Sequence, residues 1–225
     1  NFEEYVRGTL PEDSRSPASG GLFYVGPDGV DAAGHGTPAQ PWATIGHALR
    51  QTSATSTAKV RIMLYAGVYA EHVTLKPWVT LAGANDGVAE ITGAMTGANN
   101  SRLEDITLRA GNGDAVLLDM NNAAMHLARV TFTGAGGRTE TGILVAGNNS
   151  GHSVIEKCTF HSLATGMDIA DAIPLVRRNV FQNMSGSAIL LRAHGKAASG
   201  SLGDITDPTV GCNTFALSIE GPAVV

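Results

Sequence analysis

The sequence predicts an all-β fold: a right-handed, single-stranded parallel β-helix of about seven coils with an N-terminal capping helix. Three observations predict it. Glycine supplies 28 of the 225 residues and aromatic residues only 5%, a balance that favours many short strands and turns over a helical bundle. Five segments align with one another: "LEDITL" from Leu103, "LARVTF" from Leu127, "IEKCTF" from Ile155, "VRRNVF" from Val176 and "VGCNTF" from Val210. Each ends in Leu or Phe, at positions 108, 132, 160, 181 and 215, a period of roughly 21–28 residues with one longer interval. Within a segment the period is two. Val130 and Phe132 share one face and Thr131 the other, which is the alternation of a strand. The Leu-rich frame with a fixed Asn that a leucine-rich repeat needs is missing.

The elements follow in order. Residues 1–21 end in "PEDSRSPASGG", the composition of a flexible tail or linker, and residues 22–225 read as one domain. Phe23 opens a short strand that runs into a loop rich in Gly, Pro and Asp. The segment "PWATIGHALRQTS" (41–53) puts Ile45, Ala48, Leu49 and Thr52 on one helical face, with Pro41 at the helix start. A stack of strands leaves its end unpaired, and this amphipathic helix is placed to cover the N-terminal one. Two less regular units, "KVRIMLYAGVYAEHVTL" (59–75) and "KPWVTLAGANDGVAEITG" (76–93), precede the five regular ones.

Stacking at about 4.8 Å per coil turns aligned positions into columns of touching side chains. Ile106, Val130, Cys158, Asn179 and Asn213 form one inward column, and Leu108, Phe132, Phe160, Phe181 and Phe215 the next. Thr107, Thr131, Thr159, Val180 and Thr214 stand between them, facing outward. "AHGKAASGSLGDITDP" (193–208) reads as an extruded loop. The strand-like ending "GPAVV" leaves a C-terminal coil expected to stack on a further domain or protomer.

Charge and composition narrow the function. A net charge of −5 offers no bulk attraction to nucleic acid, and no apolar run is long enough for a membrane-spanning helix. Cys158 and Cys212 have neither metal-type nor framework spacing and read as unpaired core residues. Asp28, Asp31 and His35 cluster in the N-terminal loop. Asp and Gly serve turns there, and the alternating oxygens and distal Glu of a calcium loop are missing, so no metal site is expected.

The outward columns carry the candidate chemistry. Glu104, Ala128, Glu156 and Arg177 form one, and Asp105, Arg129, Lys157 and Arg178 the next. Arg129, Lys157 and Arg178 then stack as like charges, which repel. Either Glu104, Asp105 and Glu156 interleave as ion pairs, or an anionic polymer lies along the column. Arg129, Lys157, Arg177, Arg178 and His161 are the ligand-binding candidates. Lys157, between two Arg, is the candidate base for abstracting a proton next to a uronate carboxylate, with Arg178 or Arg129 stabilising the enolate and His161 as a second candidate base. Asp168 lies between inward Met167 and Ile169, flanked by Leu144 and Ala188 in the neighbouring coils, and reads as a surface carboxylate.

The stretch "FYVGPDGVDAAGHGTPAQPWATIGHAL" followed by "AKVRIMLYAGVYAEHVTL" resembles the opening of the pectate-lyase-like superfamily of right-handed β-helices. It is especially similar to secreted bacterial members whose N-terminal segment is a domain of unknown function. The resemblance covers about residues 23–225 and implies the fold. It also implies an extracellular, cell-surface or periplasmic location and a polysaccharide or cell-surface glycan as partner, without nucleic acid or membrane insertion. The superfamily includes lyases, hydrolases, esterases and proteins with no catalysis. Of its catalytic signatures only the Gly-His-Gly at Gly34–Gly36 occurs, and that lies in the N-terminal loop. The expectation is therefore a noncatalytic binding protein needing no cofactor. The alternatives are a polysaccharide lyase, for which Ca2+ would be the cofactor, and a structural stalk.

Overall fold

The computed structural model describes residues 18–147, 152–172, 174–192 and the backbone of 214–215. The chain winds as a parallel β-solenoid of about six turns, with three sheets running along the axis. The first sheet holds Gly21–Val25, Val60–Leu64, Val79–Gly83, Ser101–Glu104, Met125–Ala128, Val154–Glu156 and Leu175–Arg177. The second begins at Gly67–Tyr69 and runs through Thr107–Arg109 and Thr131–Thr133 to Thr214–Phe215. The third runs from Val73–Thr74 through Thr141–Ala146 and Thr165–Ala170 to Ile189–Arg192. Each strand pairs in parallel with its counterpart one coil away, which is why the apolar residues recur by coil.

The core is built of those columns. In the first sheet Ile62, Leu81, Leu103, Leu127, Ile155 and Val176 share one register row and are buried. In the second, Tyr69, Ile91, Leu108, Phe132, Phe160 and Phe181 do the same. Phe160 stacks on Phe132 at 4.8 Å and on Phe181 at 4.7 Å, with rings within 9° of parallel. The expected aromatic column is therefore present, and its backbone register continues to Phe215.

The corner between first and second sheets is the same in four coils. It consists of one residue in the left-handed region, then one inward residue. Asp105, Arg129, Lys157 and Arg178 have φ of 54°, 56°, 55° and 56°. For a side-chain-bearing residue this conformation costs about 1–2 kcal/mol. Ile106, Val130, Cys158 and Asn179 follow, all buried. Asn179 accepts a hydrogen bond from the Cys158 backbone N–H at 2.9 Å and donates to the Ile155 carbonyl at 3.0 Å. The neighbouring Asn213 falls outside the described residues, as do Cys212, residues 1–17 and the loop at 193–208.

Several expectations need correction. The helix spans Ile45–Gln51, and it begins at Thr44 rather than at Pro41. Thr44 Oγ1 accepts from His47 N–H, and Asp31 accepts from the N–H groups of Ala43 and Thr44 at 2.8 and 3.0 Å. Glu71, from the first coil, takes the N–H groups of Ile45 and Gly46 at 2.9 Å each. The free donors of a helix start are thus met by carboxylates distant in sequence, which fixed the start three residues later than the local Pro signal. Ile45, Ala48, Leu49 and Thr52 are buried as expected. Ala18–Ser19, within the stretch read as a tail, pairs in parallel with Thr52–Ser53.

Asp168 is the second correction. It faces Leu144 and Leu190, not Ala188. The slip is two residues, so every side chain keeps its face. Asp168 is also only 7% exposed, because Arg192 in the next coil lies over it and bonds both carboxylate oxygens, Nε to Oδ1 at 2.8 Å. It is a covered, paired carboxylate.

Candidate functional site: a groove on the first sheet

The outer face of the first sheet carries a groove of about 430 Å³. Two rows of side chains line it along the axis. One is Lys59, Trp78, Asn100, Ala124 and His152; the other is Arg61, Thr80, Arg102, His126 and Val154, with Glu104 on the floor. The second row follows the strand register coil by coil. Five coils at about 4.8 Å make a trough roughly 19 Å long. Trp78 is half-buried at φ 66°, and the Lys59 ammonium lies 5.9 Å from its ring centroid, within cation–π reach.

Two ion clusters organise the face. Arg61 Nη2 donates to Glu104 Oε2 at 2.8 Å, and Arg102 Nε contacts Oε1 of the same carboxylate. Two coils further along the same outward column, Glu156 takes His126 Nε2 at 2.9 Å on Oε1 and Arg177 on Oε2 at 2.7 and 2.9 Å. Ala128 stands between the two carboxylates in the column. Burial works against the charge of Glu104, but the hydrogen bonds and charges of Arg61 and Arg102 outweigh it and hold the pKa below the usual value. Glu156 is lowered in the same way, burial being overcome by His126 and Arg177. Glycoside hydrolysis by paired carboxylates needs one of them protonated near neutrality. These two are both held ionised and do not supply that acid.

None of the candidate site residues picked out from sequence lines this groove: Arg129, Lys157 and Arg178 sit at the corner of its sheet, Arg177 at the end of a strand of that sheet and His161 on the second sheet. Arg129 is tied to Asp105 by two hydrogen bonds, 2.5 and 2.7 Å. The bond from Arg129 lowers the Asp105 pKa, and that from Asp105 raises the Arg129 pKa. Arg177 is engaged with Glu156, as above. Lys157 and Arg178 are exposed at the corner, and among the described residues no carboxylate lies within ion-pair distance of Lys157. His161 is exposed on the second sheet, where its Nδ1 meets Ser162 Oγ at 2.9 Å. It faces away from the column it was grouped with. Asp31, from the N-terminal loop, serves the helix start, and among the described residues no three His, Cys, Asp or Glu side chains cluster to hold a metal.

Lys59, Arg61, Trp78, Arg102, His126 and His152 were not singled out from sequence. A signal did exist. Extending the repeat alignment one outward position before Leu103 and two coils back places Arg61, Arg102 and His126 in one row. No protein-family model matches the sequence, and no curated protein matches it. Among solved structures, a rhamnogalacturonan lyase is similar, with a TM-score of 0.43, 12% sequence identity, and coverage of 90% of this chain and 66% of that one. At that identity the likeness concerns fold alone, and the chemistry of the groove has to come from its own residues.

Proposed function

We propose that the protein is an extracellular or cell-surface β-solenoid that binds an anionic polysaccharide lengthwise along the first-sheet groove, without catalysis. The observation that carries this reading is the lining of the trough. Lys59, Arg61 and Arg102 outnumber the single carboxylate Glu104, and a half-buried Trp78 offers a flat apolar face to a sugar ring. Arginine forks suit carboxylate and sulfate oxygens, and an indole face is a large apolar platform. The right-handed winding, and the helix as cover for the N-terminal opening, belong to the same proposal. The helix packs on the first strand of the first sheet and the first of the third, and parallel strand crossovers are right-handed almost without exception.

Affinity gel electrophoresis of the full chain through polygalacturonate, alginate and a neutral glucan tests the reading. Retardation by the acidic polymers, weakened by salt and by Trp78→Ala or Arg102→Gln, is the expected result. Equal mobility in all gels at low salt overturns it. A second reading rests on the exposure of Lys157: β-elimination with Lys157 as base and Arg178 on the uronate carboxylate. It predicts unsaturated-product absorbance from polyuronates, with or without Ca2+, and its loss in Lys157→Ala.

A further inference from the structure

We infer that His126 couples occupancy of the groove to pH, so that an anionic polymer binds more tightly as the solution is acidified from about pH 7.5 to 5.5. The inference rests on the binding reading above and assigns that site a regulation.

Geometry fixes the chemistry of the ring. Glu156 is ionised and can only accept, so the contact at 2.9 Å makes His126 Nε2 the N–H donor. In the neutral ring the second nitrogen, Nδ1, then carries a lone pair, and it bonds nothing among the described residues. Protonation converts that nitrogen from an acceptor to a charged donor. An anionic ligand meets a repelling lone pair in one state and a hydrogen-bond donor in the other. Among ordinary side chains the imidazole is the one that exchanges charge between about pH 5 and 8.

Apart from His152, the groups around His126 are arginines, a lysine and ion-paired carboxylates, which keep their charge in that interval. Its strand lies between Ser101–Glu104, which presents Arg102 and Glu104, and Val154–Glu156, which presents Glu156. Arg61 reaches Glu104 and Arg177 reaches Glu156 from strands beyond. The adjoining corner carries Arg129, paired with Asp105, and exposed Lys157. His152 is the other imidazole lining the same groove. Acidification therefore adds positive charge to the end of the trough away from Lys59 and Arg61, where no arginine or lysine lines it.

The test uses dextran sulfate, whose charge is fixed over the interval, at constant ionic strength. The wild-type chain is expected to bind about two- to fivefold more tightly at pH 5.5 than at pH 7.5, the worth of one partly exposed ion pair. His126→Gln should lose most of that ratio, whatever its affinity at pH 7.5. His72→Gln, outside the groove, should keep the wild-type ratio. No binding at either pH overturns the groove reading and this inference together. Binding with equal affinity at both pH values overturns the inference alone, and so does a wild-type ratio in His126→Gln.

Discussion

Asn179 offers the most quantitative test of the solenoid's interior. Its side chain is fully buried, and its amide oxygen takes the Cys158 N–H, which the corner would otherwise leave without a partner, while its amide N–H adds a second bond to the Ile155 carbonyl. A buried backbone N–H stranded by removal of the amide costs about 1–3 kcal/mol. Asn179→Ala should thus lose roughly 1–4 kcal/mol, the small void adding at the upper end. Asn179→Leu fills the space but still strands the Cys158 N–H, and should recover little of the loss. Urea unfolding followed by circular dichroism reads the change. A shifted midpoint with constant slope means the described coils melt together, while a shallower slope means the coils near Asn179 fray first, as a stacked array allows. Loss of less than about 0.5 kcal/mol in Asn179→Ala would refute the argument that the amide satisfies buried backbone.

Four further outcomes follow from the same geometry. Lys157→Asn places a residue tolerant of the left-handed region at φ 55° and should stabilise by up to about 1 kcal/mol; the same substitution should abolish any elimination activity, so denaturant midpoint and product absorbance together separate the two roles. Phe160→Leu removes the middle ring of the stack and should cost about 1–3 kcal/mol by urea titration, two aromatic contacts being lost. Burial pushes the Cys158 thiol up to about 12, so native protein should leave Cys158 unmodified by iodoacetamide at pH 8 and unfolded protein should not, as read by peptide mass spectrometry. Glu104, Asp105 and Glu156 have folded pKa values below their ordinary ones, so their contribution is complete above the usual carboxylate value near 4 and is lost as pH falls through the lower folded values; the melting temperature should hold from pH 7 to about 5 and drop below 4.

The inward columns were legible because stacking forces each coil to repeat a residue class at each inward position. Leu108, Phe132, Phe160 and Phe181 announce themselves by size and spacing. The groove was not, since nothing in packing obliges Arg61, Thr80, Arg102, His126 and Val154 to resemble one another. They share a row only through the register that the inward residues set. The corner cations were readable as a column, but the bidentate bond of Arg129 to Asp105 depends on side-chain reach between coils. The helix start was misjudged for a related reason, because Asp31 and Glu71 cap it from distant positions. Asp168 was placed on the correct face, yet its cover by Arg192 comes from a coil whose register was displaced by two.

The fixed two-residue corner makes the coil a unit of length. Glu104 and Thr107, Ala128 and Thr131, Glu156 and Thr159, and Arg177 and Val180 are separated identically, whereas the other connections vary. Splicing Ala128 directly to Lys157 would excise one complete turn and bring Leu127 against Val176, Leu108 against Phe160 and Leu118 against Met167, each inward apolar residue meeting another of its own column. The groove would shorten by one sugar-sized step and lose His152. Gain or loss of whole turns is thus a route by which such a chain could match its reach to the polymer it grips, while a single residue added at the corner would turn every following side chain inside out.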